Sequence, residues 1–423
     1  MSVAATKGLA AARTVLDNGV VVISKEARTV PAVTVQMSAL AGSIYEPDDL
    51  LGLSYLTSRV LDRGTATRSS EDIAETLDAR GVSLSVAANR HAVTMSCTCL
   101  SEDFEALFEL LGDIMTQPAF PREEVETRKG EALNLIRQDE DNPAATAMRN
   151  LFALLYPNLH PYGRPARGTI DTVGRIGRDD LARFHEARFA PSAATVVIVG
   201  DVEHQHADAV AERVLGRWRR PRPVDLLLPP QPRQKTRQER VITMMNKVQA
   251  DIAYGLTTIV RSDPRYYAYS LMNNALGQYG IGGRLGDSIR ERQGMAYYVF
   301  SAFDANVVEG PLFVRAGVNP ANVERAVSSI DAELKKMATE GMSAQELADC
   351  QQYLIGSIPR LLETNGAIAT FLQTAEFFGL GLDHDVQLPG LLGRVTLDDV
   401  NAAAREALDV DRASVVVAGP YQR

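Results

Sequence analysis

The sequence predicts an α+β protein of two homologous, duplicated domains, each a mixed, mostly antiparallel sheet with helices packed on one face. Three observations carry this. The chain repeats itself: GRIGRDDLARFHEARFAPSAATVVIVG (174–200) aligns without a gap to GRVTLDDVNAAAREALDVDRASVVVAG (393–419), at a constant offset of 219 residues. Two copies of so long a period mark a duplicated domain, not a solenoid. A Pro- and Arg-rich run, RWRRPRPVDLLLPPQPRQ (217–234), is the one clear break in composition. It divides the chain into an N-terminal domain 1–216, a linker 217–235 and a C-terminal domain 236–423. Within each half, β-branched runs of strand length alternate with amphipathic runs of helical period.

The 423 residues suit two or three domains. A content of 45% hydrophobic and 23% charged residues is that of a soluble globular chain. The net charge of −9 weighs against nucleic acid or an anionic membrane as the main partner. No run reaches the ~18 apolar residues of a membrane span. The start, MSVAATKGLAAARTVLDNG, lacks the apolar core of a secretory signal, so the expected location is the cytoplasm. Cys97, Cys99 and Cys350 give no disulfide framework. Cys97, Cys99 and His91 share a strand parity that would suit a metal, but buried strand cysteines are far commoner and are the reading taken.

The elements follow in order. Asp17-Asn18-Gly19 is a hairpin turn leading into a strand from Val20 to Ser24. VTVQMSAL is the next strand. LLGLSYLTSRVLDRGT is a helix, with Leu53, Leu56, Val60 and Leu61 at helical spacing. SSEDIAETLDARG is a helix capped by Ser69 or Ser70, followed by the strand pair in VSLSVAANRHAVTMSCTCL. EDFEALFELLGDIM is amphipathic. His160, before Pro161 in a turn-rich loop, reads as structural; His204 and His206 read as surface residues, and the arginines at 217, 219, 220 and 222 as a solvated linker.

The stretch GGRLGDSIRERQGMAYYVFS (282–301) is the most informative for function. A short helix from about Arg284 to Gln293 ends at Gly294, where positive φ is wanted. A strand follows, with Tyr297, Val299 and Ser301 expected on one face. Arg290 in the last helical turn and Tyr297 on the returning strand can then reach one edge of a cavity. Both can donate hydrogen bonds to a peptide carbonyl or a developing oxyanion. In the first half Gly81 aligns with Gly294, and Leu77 and Leu84 stand opposite Arg290 and Tyr297, so the turn itself does not need the polar pair. The glycines at 277, 280, 282 and 283 follow a helix and lack a Gly-Lys-Ser/Thr, which excludes a nucleotide loop.

Several ordered landmarks resemble the insulinase/pitrilysin (inverzincin) metallopeptidases, and among them the mitochondrial-processing-peptidase-like subfamily with its bacterial heterodimers. They are the frame of LLGLSYLTSRVLDRGT, then PAFPREEVETRKGEALNLIRQDEDNP, HPYGRPARGTIDTVGRI, NKVQADIAYGLTTIVRSDPRYYAY, GQYGIGGRL and ELADCQQYLIGSIPRLLETNGAIATFLQTAEFFGLGL. The family's motif is H-x-x-E-H, two zinc-binding His flanking a Glu that activates water. The resemblance puts Tyr55, Ser58 and Arg59 at these positions, and Asn134, beside Leu135, at the remaining Glu ligand. It therefore implies no metal and no cofactor in this chain. Zinc is expected in a homologous partner subunit carrying H-x-x-E-H, with which this chain would form a heterodimer around a closed peptide-cleaving chamber. Arg290 and Tyr297 match the pair in the family's L-R-E-x-x-G-x-A-Y, with Ile289 in its first place. The resemblance assigns them substrate orientation and oxyanion stabilisation, and places Gly280, Gly282 and Gly283 near substrate. The alternative is a purely structural scaffold subunit, like the peptidase-derived core proteins of respiratory complexes.

Overall fold

A computed structural model describes residues 8–158, 160–231, 233–278 and 282–422. Its strands are β1 (Ala12–Val15), β2 (Val21–Glu26), β3 (Ala32–Ala39), β4 (Ser85–Ala88), β5 (Val93–Leu100), β6 (Ala194–Gly200), β7 (Gln238–Thr243), β8 (Ala250–Thr257), β9 (Ala296–Phe303), β10 (Pro311–Val318) and β11 (Ser414–Gly419). The α-helices of the first half are α1 (Leu53–Val60), α2 (Ser70–Asp78), α3 (Phe104–Thr116), α4 (Arg122–Glu140), α5 (Pro143–Leu155), α6 (Ile170–Arg175), α7 (Arg178–Arg188) and α8 (His204–Leu215). Those of the second half are α9 (Tyr266–Asn273), α10 (Val323–Glu340), α11 (Ala344–Leu361), α12 (Asn365–Phe378), α13 (His384–Gly393) and α14 (Leu397–Ala407). Two π-helical segments, Asn274–Gln278 and Gly286–Arg292, lie between α9 and β9.

The chain divides into two compact units, and the division is not colinear with the sequence. The first holds the chain up to Arg137, Pro165–Leu226 and Ile358–Val386; the second holds Gln138–Arg164, Leu227–Ser357 and the chain from Gln387. Each unit therefore takes one helix from the opposite half of the sequence: α12 goes to the first and α5 to the second.

In the first unit the strand order is β1-β2-β6-β3-β5-β4, with β2 parallel to β6 and the other pairings antiparallel. Strand alternation gives β6 two apolar faces. Val196 and Ile198 join the main core with Val35, Met37 and Met95, under Leu56 of α1 and Phe108 of α3. Val197 and Val199, with Ile23, face Ile368, Ala369 and Leu372 of α12. So the sheet is covered on its second face too, by one helix that the half-by-half reading of the sequence leaves out. Polar contacts fix its seating: Gln36 of β3 pairs with Gln373, and Asn365 donates its amide to the Ala32 carbonyl at 3.1 Å. Ser69, not Ser70, caps α2, in a reciprocal capping box with Asp72.

The second unit repeats this plan as β7-β11-β8-β10-β9, again with one parallel pair, β7 and β11. Each strand has a counterpart at the same place in the order, and β1 is the addition in the first unit. The strands closing each half end on glycines in the same conformation, φ +147° at Gly200 and +144° at Gly419. All eight residues of β8 are buried. Ile252, Tyr254 and Leu256 face the main core. On the opposite face, Gly255 lets α5 approach: a Cβ there would stand 2.9 Å from Leu155 and 3.0 Å from Leu151. The two-sided cover is thus built into both units.

Candidate functional site

The helix that resembles a metal site is a packed element without ligands. α1 buries Leu53, Leu56 and Val60. Ser58 is 2% exposed, and its hydroxyl donates to the Tyr55 carbonyl one turn back at 2.7 Å. The Arg167 guanidinium stands 5.6 Å from the Tyr55 ring centre. Arg59 reaches α4, where its Nη2 lies 3.4 Å from Glu131. Arg128 holds the same Glu131 at 2.6 Å and Glu124 at 3.4 Å. Asn134, one turn further along α4, accepts from Arg137 at 2.9 Å. The structure thus brings α1 and α4 together and fills the place with an Arg–Glu network. A guanidinium has five donors and no lone pair to offer a cation. Among the described residues no group of three or more His, Cys, Asp or Glu could hold a metal ion.

The other histidines and cysteines have structural partners. His160 Nδ1 accepts from the Tyr162 amide at 3.1 Å, and its Nε2 donates to the Pro229 carbonyl at 3.0 Å. Both ring nitrogens are used, so no lone pair is left for a metal. Cys97 and Cys99 sit buried on β5 beside β3, and burial pushes their thiols up to about 12 and about 11. They stay protonated at neutral pH, unlike ligand or nucleophilic cysteines. His204 bonds Ser24 at 2.8 Å and His206 lies 3.2 Å from Glu105.

The stretch from Gly282 to β9 departs from regular geometry at both residues singled out in it. Gly294 has φ +61° and its counterpart Gly81 has φ +63°. After Gly81, the Val82 amide donates to Leu77, five residues back; after Gly294, the Met295 amide donates to Ile289, six back. The π-helical register holds one extra residue. Leu77 is therefore matched by buried Ile289, and the gapless match of Leu77 with Arg290 is corrected by one position. Arg290 lies in the inserted turn. Its guanidinium is 3.7 Å from Glu291 and its side chain is 39% exposed.

A second insertion follows. In β9 against β10, Tyr298 pairs with Gly317 but Ala296 pairs with Val318, so Tyr297 is the extra residue of a β-bulge. The bulge turns its side chain out: Tyr297 is 83% exposed, whereas Val299 and Ser301 are 2% and 1%. The expectation that the three share one face is thus corrected. In the first half the counterpart of Tyr297 is Leu84, which stands just before β4 and outside its pairing with β5. Among the described residues, the Tyr297 hydroxyl and the Arg290 guanidinium make no hydrogen bond to the protein or to each other. What they present is a phenol and a guanidinium as unused donors on two one-residue insertions. Gly283 is buried against Gly277, where a Cβ would meet the Gly277 Cα at 2.6 Å, so its lack of a side chain is a packing requirement. Gly282 is exposed, and Gly280 lies outside the described residues.

With this geometry in hand, the comparisons with known proteins are specific. Residues 21–169 match the family described as Insulinase (Peptidase family M16), and residues 175–354 match the Peptidase M16 inactive domain. An uncharacterized zinc protease of Streptomyces coelicolor is 28% identical over 97% of this chain and 90% of its own length. A non-peptidase homolog from Helicobacter pylori is 24% identical over 90% of this chain and 87% of its own length. The crystal structure of a peptidase M16 inactive domain from Pseudomonas fluorescens superposes with a TM-score of 0.91 at 25% identity, covering 98% of this chain and 99% of that one. A protease from Helicobacter pylori shares the fold at a TM-score of 0.89 and 17% identity, over 98% of this chain and 100% of that one.

Proposed function

The chain belongs to the insulinase family of peptidases, peptidase family M16, and from that premise we propose that it is the zinc-less subunit of a heterodimeric peptidase. Its partner is a homologous chain with an intact H-x-x-E-H, which supplies the metal and the general base. This chain supplies Arg290 and Tyr297. The observation that carries the reading is their placement: a phenol and a guanidinium without hydrogen-bond partners among the described residues, set on a β-bulge of β9 and on a π-helical turn one residue longer than its counterpart in the first half. Bulges of both kinds re-aim side chains and concentrate at functional sites.

In the proposed reaction a peptide binds across the chamber formed with the partner. Arg290 donates to a carbonyl on the C-terminal side of the scissile bond and sets its position. Tyr297 donates its hydroxyl proton as a hydrogen bond to the carbonyl oxygen as that oxygen becomes an oxyanion. Such a donor stabilises the transition state more than the ground state, because charge develops there only as the tetrahedral centre forms. Gly282, exposed beside the buried Gly283, brings main chain near the substrate without a side chain in its way.

The test is complementation. This chain and an H-x-x-E-H relative from the same genome are purified separately and after co-expression, and assayed with a quenched-fluorescent peptide. Co-elution, with hydrolysis by the pair and not by this chain, is the expected result. A co-eluting but inactive pair would favour the scaffold alternative, and separate elution would remove the partner role.

A further inference from the structure

We propose that Tyr298, the residue after the bulge, is a positioning residue for Tyr297: bonded across Gly317 to Asp251, it fixes the backbone from which the exposed phenol projects. The inference rests on the reading of Tyr297 as an oxyanion donor. Tyr298, Gly317 and Asp251 stand in one row across β9, β10 and β8. A side chain spans two strand spacings, roughly 9–10 Å, only if the middle residue leaves the way clear. Gly317 does so: a Cβ there would stand 2.5 Å from Cε1 of Tyr298 and 2.3 Å from Nε2 of Gln249. The ring lies across the glycine, and its hydroxyl donates to Oδ1 of Asp251. Gln249 Nε2 donates to the other carboxyl oxygen at 3.4 Å. Asp251 is 5% exposed. Burial, and then the bond to Asp251, raise the Tyr298 pKa above its ordinary value of 10, so the hydroxyl keeps the proton it donates. The Arg315 guanidinium stands 6.0 Å from the centre of the same ring.

Tyr298 is the first residue of β9 back in register with β10 after the inserted Tyr297. The extra residue of a bulge is unpaired and its ladder is locally broken, so its own backbone bonds hold it weakly. Tying the next residue to a third strand limits how far the phenol can swing. The first half shows the same row built otherwise. Thr98 corresponds to Gly317 at the repeat's offset of 219 residues, and it pairs with Thr34. The two hydroxyls bond each other at 2.8 Å. β4 begins its pairing at Ser85 with Ser96, short of this row, so among the described residues no third strand enters it. The glycine, the tyrosine and the carboxyl group, with the third strand that joins them, thus occur in the half that displays Tyr297. A reacting group misplaced by ~1 Å costs on the order of 10²-fold in rate, so a loosened one costs a measurable part of that.

The test is Tyr298→Phe, which keeps the ring over Gly317 and deletes the bond. In the proposed heterodimer its kcat should fall about tenfold with KM within about twofold of the parent. Asp251→Asn leaves an acceptor for the hydroxyl and should keep kcat within about threefold. In a Tyr297→Phe background, Tyr298→Phe should cost less than about twofold more, because the hydroxyl it positions is already gone. Hydrogen exchange on the isolated full-length chain needs no partner: the amides of residues 296–299 should exchange at least about tenfold faster in Tyr298→Phe, with those of β10 unchanged. Unchanged exchange, a kcat within about twofold of the parent, or losses that multiply in the double variant overturn the proposal. If Tyr297→Phe alone leaves kcat unchanged, the oxyanion reading falls, and exchange still decides whether Tyr298 holds the bulge. Should Tyr298→Phe not fold, Gly317→Ala, whose Cβ pushes the ring from its place, serves in each comparison.

Discussion

Leaving a tyrosine 83% exposed forgoes about 2 kcal/mol of burial that a core position would give. Tyr297 therefore contributes little to folding where it stands, and its phenol is free for a ligand. The same holds for Arg290, whose contact with Glu291 at 3.7 Å is a solvated ion pair of little worth. Both side chains can be changed with small effect on stability. In the proposed heterodimer, Arg290→Ala should raise KM and lower kcat together, since it loosens the substrate's position. Full kinetics on the purified complex separate this from a loss of complex. At the positions that the resemblance assigns to a metal ligand and the general base, Arg59 and Ser58 lead to a second expectation. Metal analysis of the isolated chain should find no stoichiometric zinc. Finding about one tightly bound zinc per chain, lost on changing α1, would contradict the reading of that helix. That Tyr55, Ser58 and Arg59 offer neither imidazole nor carboxylate is plain from residue identity. The contact of Arg59 with Glu131, which Arg128 also holds, was not legible, because both residues come from the facing helix.

The insertions that display Arg290 and Tyr297 belong to the elements. Helical period and strand alternation predict regular geometry, and one extra residue in either is invisible to them. Alternation therefore puts Tyr297 on the face of Val299, and a gapless match puts Arg290 opposite Leu77. The turn between them was legible because a glycine after a helix has a specific conformational cause. Gly294→Ala meets no atom within 4 Å, so its cost is backbone strain alone, about 1 kcal/mol, measurable as a lower urea midpoint. A midpoint equal to the parent's would contradict the positive φ. Another element carries a pH dependence. His185 on α7 is buried against α3 and donates from Nε2 to the Met115 carbonyl at 2.9 Å. Burial pushes its pKa from 6.5 down to about 4. Between those values the unfolded chain binds a proton that the folded one does not. Stability is therefore full above about pH 6.5 and falls as pH drops toward 4. Urea midpoints at about pH 7.5 and pH 5 should differ, and His185→Gln, which still donates to the carbonyl, should reduce the difference.

For the whole chain, the duplication was legible as an offset of 219 residues between Gly174 and Gly393, and the repeated strand order bears it out. The exchange of α5 and α12 between halves was not legible. Their apolar faces suit any sheet, and which sheet they cover is decided by tertiary packing, at Gly255 for α5 and at Val197 and Val199 for α12. The exchange makes each unit depend on both halves of the chain. A fragment ending in the 217–235 linker lacks the helix that covers Ile23, Val197 and Val199, and should be insoluble or show no cooperative melt; a well-folded fragment would contradict this dependence. The partner role is tested most directly by one rate. Tyr297→Phe removes a hydroxyl and leaves the ring, the bulge and the packing. In the purified complex, with zinc content and elution volume unchanged, kcat for a quenched-fluorescent peptide should fall about 10²–10³-fold. A kcat within about twofold of the parent would mean that the phenol takes no part in the chemistry, and that the chain's place in the complex is structural.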